Sequence, residues 1–157
     1  MDECDVIVET PKHSLAENKL INGWLHVEHI SGHAHPHCCG MVVCYAPNSP
    51  HIRAVMVSRH SFPVYTVVRT RIVGMISMDI NDVYEPRLLV VPLADSQTES
   101  ILDVEDIPSD VQSSIIDFYM SYRLSDEWYN VSVSGMLGVN DAVDFLNMRH
   151  IPTKASS

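Results

Sequence analysis

The chain of 157 residues lacks several things. No uninterrupted apolar stretch approaches ~18 residues, which excludes a transmembrane helix. Basic residues are scarce: Lys+Arg is 10 against Asp+Glu 20, a formal net charge of −10. Such a surface argues against general nucleic-acid binding and against an anionic membrane. A local stripe of Arg53, Arg59, Arg69 and Arg71 could still bind an anion. Phenylalanine numbers only three, whereas methionine numbers eight. No C-x-x-C pairs the four cysteines Cys4, Cys38, Cys39 and Cys44, so reduced thiols are expected. Repeats and low-complexity segments are absent. The first residues, Met1-Asp2-Glu3-Cys4-Asp5, are acidic, unlike a secretory signal or an Arg-rich transit peptide. The expected location is the cytoplasm, or an organelle matrix after removal of an unseen presequence, and not outside the cell.

What is present fits one globular domain over residues 1–150, with a loose tail at 151–157. Hydrophobic residues make up 46%, enough for a core. The first two-thirds reads as short strands: Val6–Val8, Trp24–Glu28 with period-two alternation, Gly40–Tyr45, Arg53–Val57, Tyr65–Met78 and Leu88–Val91. Gly74 marks a bend or bulge in the longest run. Asn48-Ser49-Pro50 is a turn by composition. Many short strands separated by turns predict a barrel or sandwich. The character then changes. Ser109 and Gln112 have capping-box spacing, and Val111, Ile115, Phe118 and Tyr122 recur on one helical face, predicting a helix over 109–123. Trp128–Ser134 returns to alternation, and Asn140 is expected to cap a helix over 140–149.

Nine histidines include a cluster around His33, His35 and His37. Their alternation places the three on one face of an extended segment, a metal clamp in form. The plainer alternative is a polar loop leading into a strand.

Several segments, taken in order, resemble the soluble, family I inorganic pyrophosphatases. Val67–Met78 resembles the family's V-x-R-x-R-P-[IV]-G-x-x-x-M, and Arg87–Pro92 its K-[LI]-[IV]-A-V-P. Asp103–Pro108 resembles D-[IV]-x-D-[IL]-P, and Ile116–Arg123 resembles I-x-x-F-F-x-x-Y-K. Trp128–Val131, Asn140–Ala142, Val8–Pro11 and His35–Gly40 resemble further landmarks, so the likeness runs over about residues 5 to 148. It implies an α+β, mainly β fold: a small β-barrel of the oligonucleotide-fold type with two packed helices.

The resemblance also implies a chemistry that this sequence meets only in part. Hydrolysis of pyrophosphate needs divalent ions to neutralise the polyanion and activate water. Mg²⁺ takes oxygen ligands, which the family supplies mainly through D-G-D-P-x-D. Counted back from Arg69 without gaps, that motif reads Asn48-Ser49-Pro50-His51-Ile52-Arg53. Asn48, Pro50 and Arg53 stand at its three aspartates. Glu9, Lys19, Glu85, Arg87, Tyr122 and Arg123 keep the kind of residue the family site uses, so the anion-binding half is partly retained. The expectation is a catalytically inactive, pyrophosphatase-like structural or regulatory subunit, with no cofactor and with protein partners in a large complex or homo-oligomer. The alternative is a divergent metal-dependent pyrophosphatase or phosphohydrolase, holding Mg²⁺ through Glu9, Asp79, Asp82 and Glu85. Two structural expectations accompany the first reading. Arg53 should pair with a retained carboxylate, Glu9 in particular. Tyr65, Tyr84 and Met136 should be exposed as contact surface, with Trp24, Met41 and Met148 as further candidates and Trp24 and Met41 leaning towards the core.

Overall fold

The computed structural model describes residues 2–30, 32–44, 50–121, 130–149 and 154–155. Ten strands are present among them: β1 Asp2–Thr10, β2 Ala16–Ile21, β3 Trp24–Ile30, β4 Cys38–Val42, β5 Arg53–Met56, β6 Val67–Ile80, β7 Val83–Tyr84, β8 Arg87–Pro92, β9 Val131–Gly138 and β10 Lys154–Ala155. Two α-helices, α1 Ser109–Met120 and α2 Val139–Met148, and two single-turn 3₁₀ helices, Ser96–Thr98 and Val104–Asp106, complete the set.

Neighbouring strands run in the order β1-β4-β5-β8-β6, and β6 pairs back onto β1, so five strands close a barrel. Closure removes free edges from those five strands. Every pairing is antiparallel except β5 with β8, which run parallel with Arg53 opposite Arg87. Alternate residues of these strands enter two different cores. Val6, Val8, Ala54, Met56, Ile72, Leu88 and Val90 belong to a cluster fed by all five barrel strands, and Ala142 and Leu146 of α2 pack into it. Val55, Val57, Leu89 and Val91 face outward, under Ile115, Phe118 and Tyr119 of α1. Burial on both faces explains why Leu88–Val91 is an uninterrupted apolar run. The register shift between Ile72 and Gly74 is the bulge expected at Gly74. A Cβ there would lie 2.6 Å from the Leu137 carbonyl oxygen, which is why glycine occupies it.

The helices begin differently from the expectation. Pro108 precedes α1 and gives no side-chain cap, and Gln112 instead donates to the carbonyls of Val104 and Ile107. The capping box lies one element earlier, between Asp103 and Asp106. Asn140 sits inside α2, and the amide of Val139 is capped from a distance by Asp103 at 3.1 Å. Asp103 Oδ1 also accepts from Val104 N, so one carboxylate oxygen satisfies two helical starts. Trp24, expected to lean towards the core, is 74% exposed, and Met41 is half-buried.

Outside the barrel lies the two-stranded hairpin β2–β3. Its turn is Asn22-Gly23, with φ of +52° and +83°. This pair accommodates the left-handed conformation that a two-residue hairpin needs. The hairpin carries charged side chains over β5 and β8.

A charged cleft beneath the β2–β3 hairpin

Arg53 and Arg87 share the outward alternation of Val55 and Leu89, so two guanidinium groups lie side by side on adjacent parallel strands. Two neighbouring buried cations repel unless an anion is shared between them. Glu17 supplies it: its Oε1 lies 3.4 Å from Arg53 Nη1 and 3.9 Å from Arg87 Nη2. Glu17 is 2% exposed, Arg53 7% and Arg87 3%. The β2 strand can aim Glu17 inward because a register shift falls between Glu17 and Asn18. From β3, Glu28 accepts a short hydrogen bond from Arg53 Nη2. Arg87 reaches Glu85 at 3.9 Å and packs over the Tyr119 ring at 5.9 Å.

The protonation of the cluster follows from this geometry. Burial alone pushes the Glu28 carboxyl up, but the Arg53 guanidinium beside it, helped by Lys19 and Arg87, holds it below the ordinary carboxylate value. Burial disfavours the Arg53 charge, and Glu17 and Glu28 together outweigh that, so Arg53 keeps its proton more firmly than usual. Burial, then the Glu17 charge, pushes the nearby Cys39 thiol up to about 12. It is an inert thiol rather than a nucleophile.

The pairing expected between Arg53 and Glu9 is not what forms. Glu9, on β1, accepts from Leu20 N at 2.6 Å and faces His51 Nε2 at 2.9 Å. Glu17 and Glu28 take Arg53 instead, because the hairpin folds over β5 and brings them nearer. Neither carboxylate was singled out as a site residue by its sequence. The signal that would have found them is Asn22-Gly23, which defines the hairpin.

Glu28, Arg53, Glu85 and Arg87 line a cleft of about 300 Å³, together with Lys19, Pro50, His51, Tyr84, Phe145 and Arg149. Of the anticipated residues, Lys19, Pro50, Arg53, Glu85 and Arg87 therefore meet here, with Glu9 behind His51. Asn48, Tyr122 and Arg123 lie outside the described residues. Asp79 sits on β6 opposite Tyr84, and Asp82 is exposed in the following turn, so neither lines the cleft with Glu85.

The three histidines diverge. His35 is fully buried against Phe118 (ring centroids 4.4 Å apart), with Nδ1 on the Ser14 carbonyl at 2.9 Å. His37 Nδ1 reaches the Ser58 carbonyl at 3.2 Å, and His33 is exposed. Burial lowers the pKa of both His35 and His37, against the raising effect of those carbonyls. Among the described residues, no group of three or more His, Cys, Asp or Glu is arranged to hold a metal ion. The arginine stripe also disperses: Arg53 is in the cleft, Arg69 pairs with Asp5 at 2.9 Å, and Arg71 is buried on the carbonyls of Thr98, Glu99 and Ile101.

Comparison with known proteins places this architecture. The family model for inorganic pyrophosphatase matches residues 45–152. Among solved structures, the chain is similar to the inorganic pyrophosphatase of Helicobacter pylori at a TM-score of 0.85 and 23% identity, covering 94% of this chain and 91% of that one. The Coxiella burnetii inorganic pyrophosphatase follows at 0.84 and 20% identity, covering 94% and 92%. The Thermus thermophilus enzyme stands at 0.82 and 18%, covering 92% and 87%. Identities this low carry the fold alone. No curated protein sequence matches the chain.

Proposed function

This chain belongs to the inorganic pyrophosphatase family, and we propose that it keeps the family's barrel without its hydrolytic chemistry and serves as a structural or regulatory subunit of a larger assembly. One observation carries the reading: Arg53, which the sequence resemblance sets against the family's third motif aspartate, is buried and holds Glu17 and Glu28. Mg²⁺ requires free carboxylate oxygens. Here Glu17 Oε1 and Glu28 are held by guanidinium groups and Glu9 by His51 and a backbone amide, and Glu17 Oε2, buried without a hydrogen-bond partner, lies on a carboxylate already facing two arginines. These residues do not fit a divalent cation. At ~4 Å and an effective dielectric near 20, a guanidinium repels a divalent ion by about 8 kcal/mol. No catalytic step is therefore routed through such an ion.

The subunit role draws on the surface. Leu15, Ile21, Trp24, Val27 and Ile30, in or beside the hairpin, are all exposed, as are Tyr65, Tyr84 and Met148. Met136 is half-buried and contributes less than anticipated. Among the described residues no helix is long and apolar enough to cross a membrane.

A phosphate-release assay tests the reading. Turnover with Mg²⁺, Mn²⁺ or Zn²⁺ should stay below about 1 s⁻¹, the low end for ordinary enzymes. Faster release would establish the second reading, a divergent metal-dependent pyrophosphatase. That reading is supported by family membership and by Lys19, Glu85 and Arg87 in the cleft.

A further inference from the structure

The cleft has an apolar wall for which a small inorganic anion has no use. Val83, Tyr84, Pro86 and Phe145 line it. The Tyr84 and Phe145 rings stand edge to face, 6.3 Å apart at 83°. The Arg149 guanidinium lies over the Phe145 ring at 5.1 Å. An aromatic surface with a stacked guanidinium is a platform for a flat ring.

The other wall is cationic. The whole chain has 10 Lys+Arg and a net charge of −10. Yet Lys19, Arg53, Arg87 and Arg149 all line this one cleft. Two carboxylates line it too, Glu28 against Arg53 and Glu85 against Arg87. Lys19 and Arg149 form no ion pair among the described residues, and although Lys19 feels the Glu28 charge at longer range, both can approach an anion in the cleft. Low-dielectric walls focus such a field on an incoming anion.

We propose that this cleft binds a nucleoside monophosphate, with its phosphate on Lys19 and Arg149, Arg87 behind them, and its base against Tyr84 and Phe145. The volume of about 300 Å³ sits at the low end for ligand pockets, which favours one phosphate over three. The proposal deepens the regulatory reading above and rests on it, since the ligand is retained and not cleaved.

Calorimetric titration of the full chain in metal-free buffer tests it with four probes: adenosine monophosphate, adenosine, ribose phosphate and pyrophosphate. The monophosphate should bind at least ~10-fold tighter than either adenosine or ribose phosphate, the scale of one stacked base. Tyr84→Ala changes an exposed residue, and circular dichroism verifies its fold. It should reduce nucleotide affinity to that of ribose phosphate while leaving ribose phosphate binding unchanged. Lys19→Ala should weaken both phosphates. The proposal is overturned if the nucleotide binds no better than ribose phosphate, if Tyr84→Ala leaves it unaffected, or if no probe binds. Phosphate release from pyrophosphate, measured separately with Mg²⁺, would overturn the non-hydrolytic reading and would leave the affinity comparison standing. The two failures are therefore distinguishable.

Discussion

Replacing Arg53 with methionine keeps most of the stem's packing and removes the charge. Glu17 is then left 2% exposed, with its 3.4 Å partner gone and only Arg87 at 3.9 Å. At an effective dielectric of ~20, the lost attraction at that distance is about 5 kcal/mol. Breaking a buried pair by removing one partner costs ~3–5 kcal/mol in measured cases. Arg87 remains close and still answers part of the Glu17 charge. The lower end therefore applies, a loss of about 3 kcal/mol at neutral pH. Against a total of ~5–15 kcal/mol for a domain this is a large fraction. Urea denaturation of Arg53→Met and wild type at pH 7 measures it. The double variant Arg53→Met with Glu17→Gln should recover about 2 kcal/mol, the coupling expected of neighbours in one network. A deficit under ~1 kcal/mol at pH 7, the value of an exposed pair, would refute the buried-network account of the cleft.

Three further outcomes are expected. Glu28 sits below its ordinary value of 4.5, so its pairing with Arg53 contributes stability that is complete above that pH and is lost as pH falls through the depressed value. Glu28→Gln should flatten that acid limb of the stability curve, and an unchanged limb would contradict the pairing. Gly40→Ala places a Cβ 2.3 Å from the Ile7 carbonyl oxygen and 2.7 Å from Val6 Cγ1. It should cost roughly 2–3 kcal/mol by thermal or urea denaturation through forced separation of β1 and β4, and a neutral result would refute that close approach. Arg53→Asp restores a carboxylate beside Glu17 and Glu28. Millimolar Mg²⁺ should raise the Tm of this variant and leave wild type unmoved, since only a ligand bound by the folded state stabilises it; equal responses would overturn the assigned role of Arg53.

Much of the barrel was legible along the chain. The strand Leu88–Val91 carries an apolar run suited to a doubly buried sheet, and Gly74 announced the bulge in the long strand read over Tyr65–Met78. Ile115 and Phe118 marked the buried face of α1 by spacing. Tyr119, equally buried, lies beside that row, because the buried stripe of a helix is wider than one line of i, i+4 and i+7 positions. Helix capping was misplaced for a physical reason: Asp103 caps α2 across 36 residues of sequence, and no local pattern encodes such a contact. His33, His35 and His37 looked alike as an alternating set, but two of their rings turn to backbone carbonyls on different segments.

By itself the sequence determined the family and the barrel. These are properties of residue type and order, which periodicity and motif spacing record directly. Only the tertiary structure decided which anions answer Arg53. Glu17 and Glu28 sit on a hairpin outside the barrel and 36 and 25 residues from Arg53, and a one-residue register shift turns Glu17 inward. An ion pair is set by distance in space, to within an ångström or two, and a chain records that distance only after it has folded.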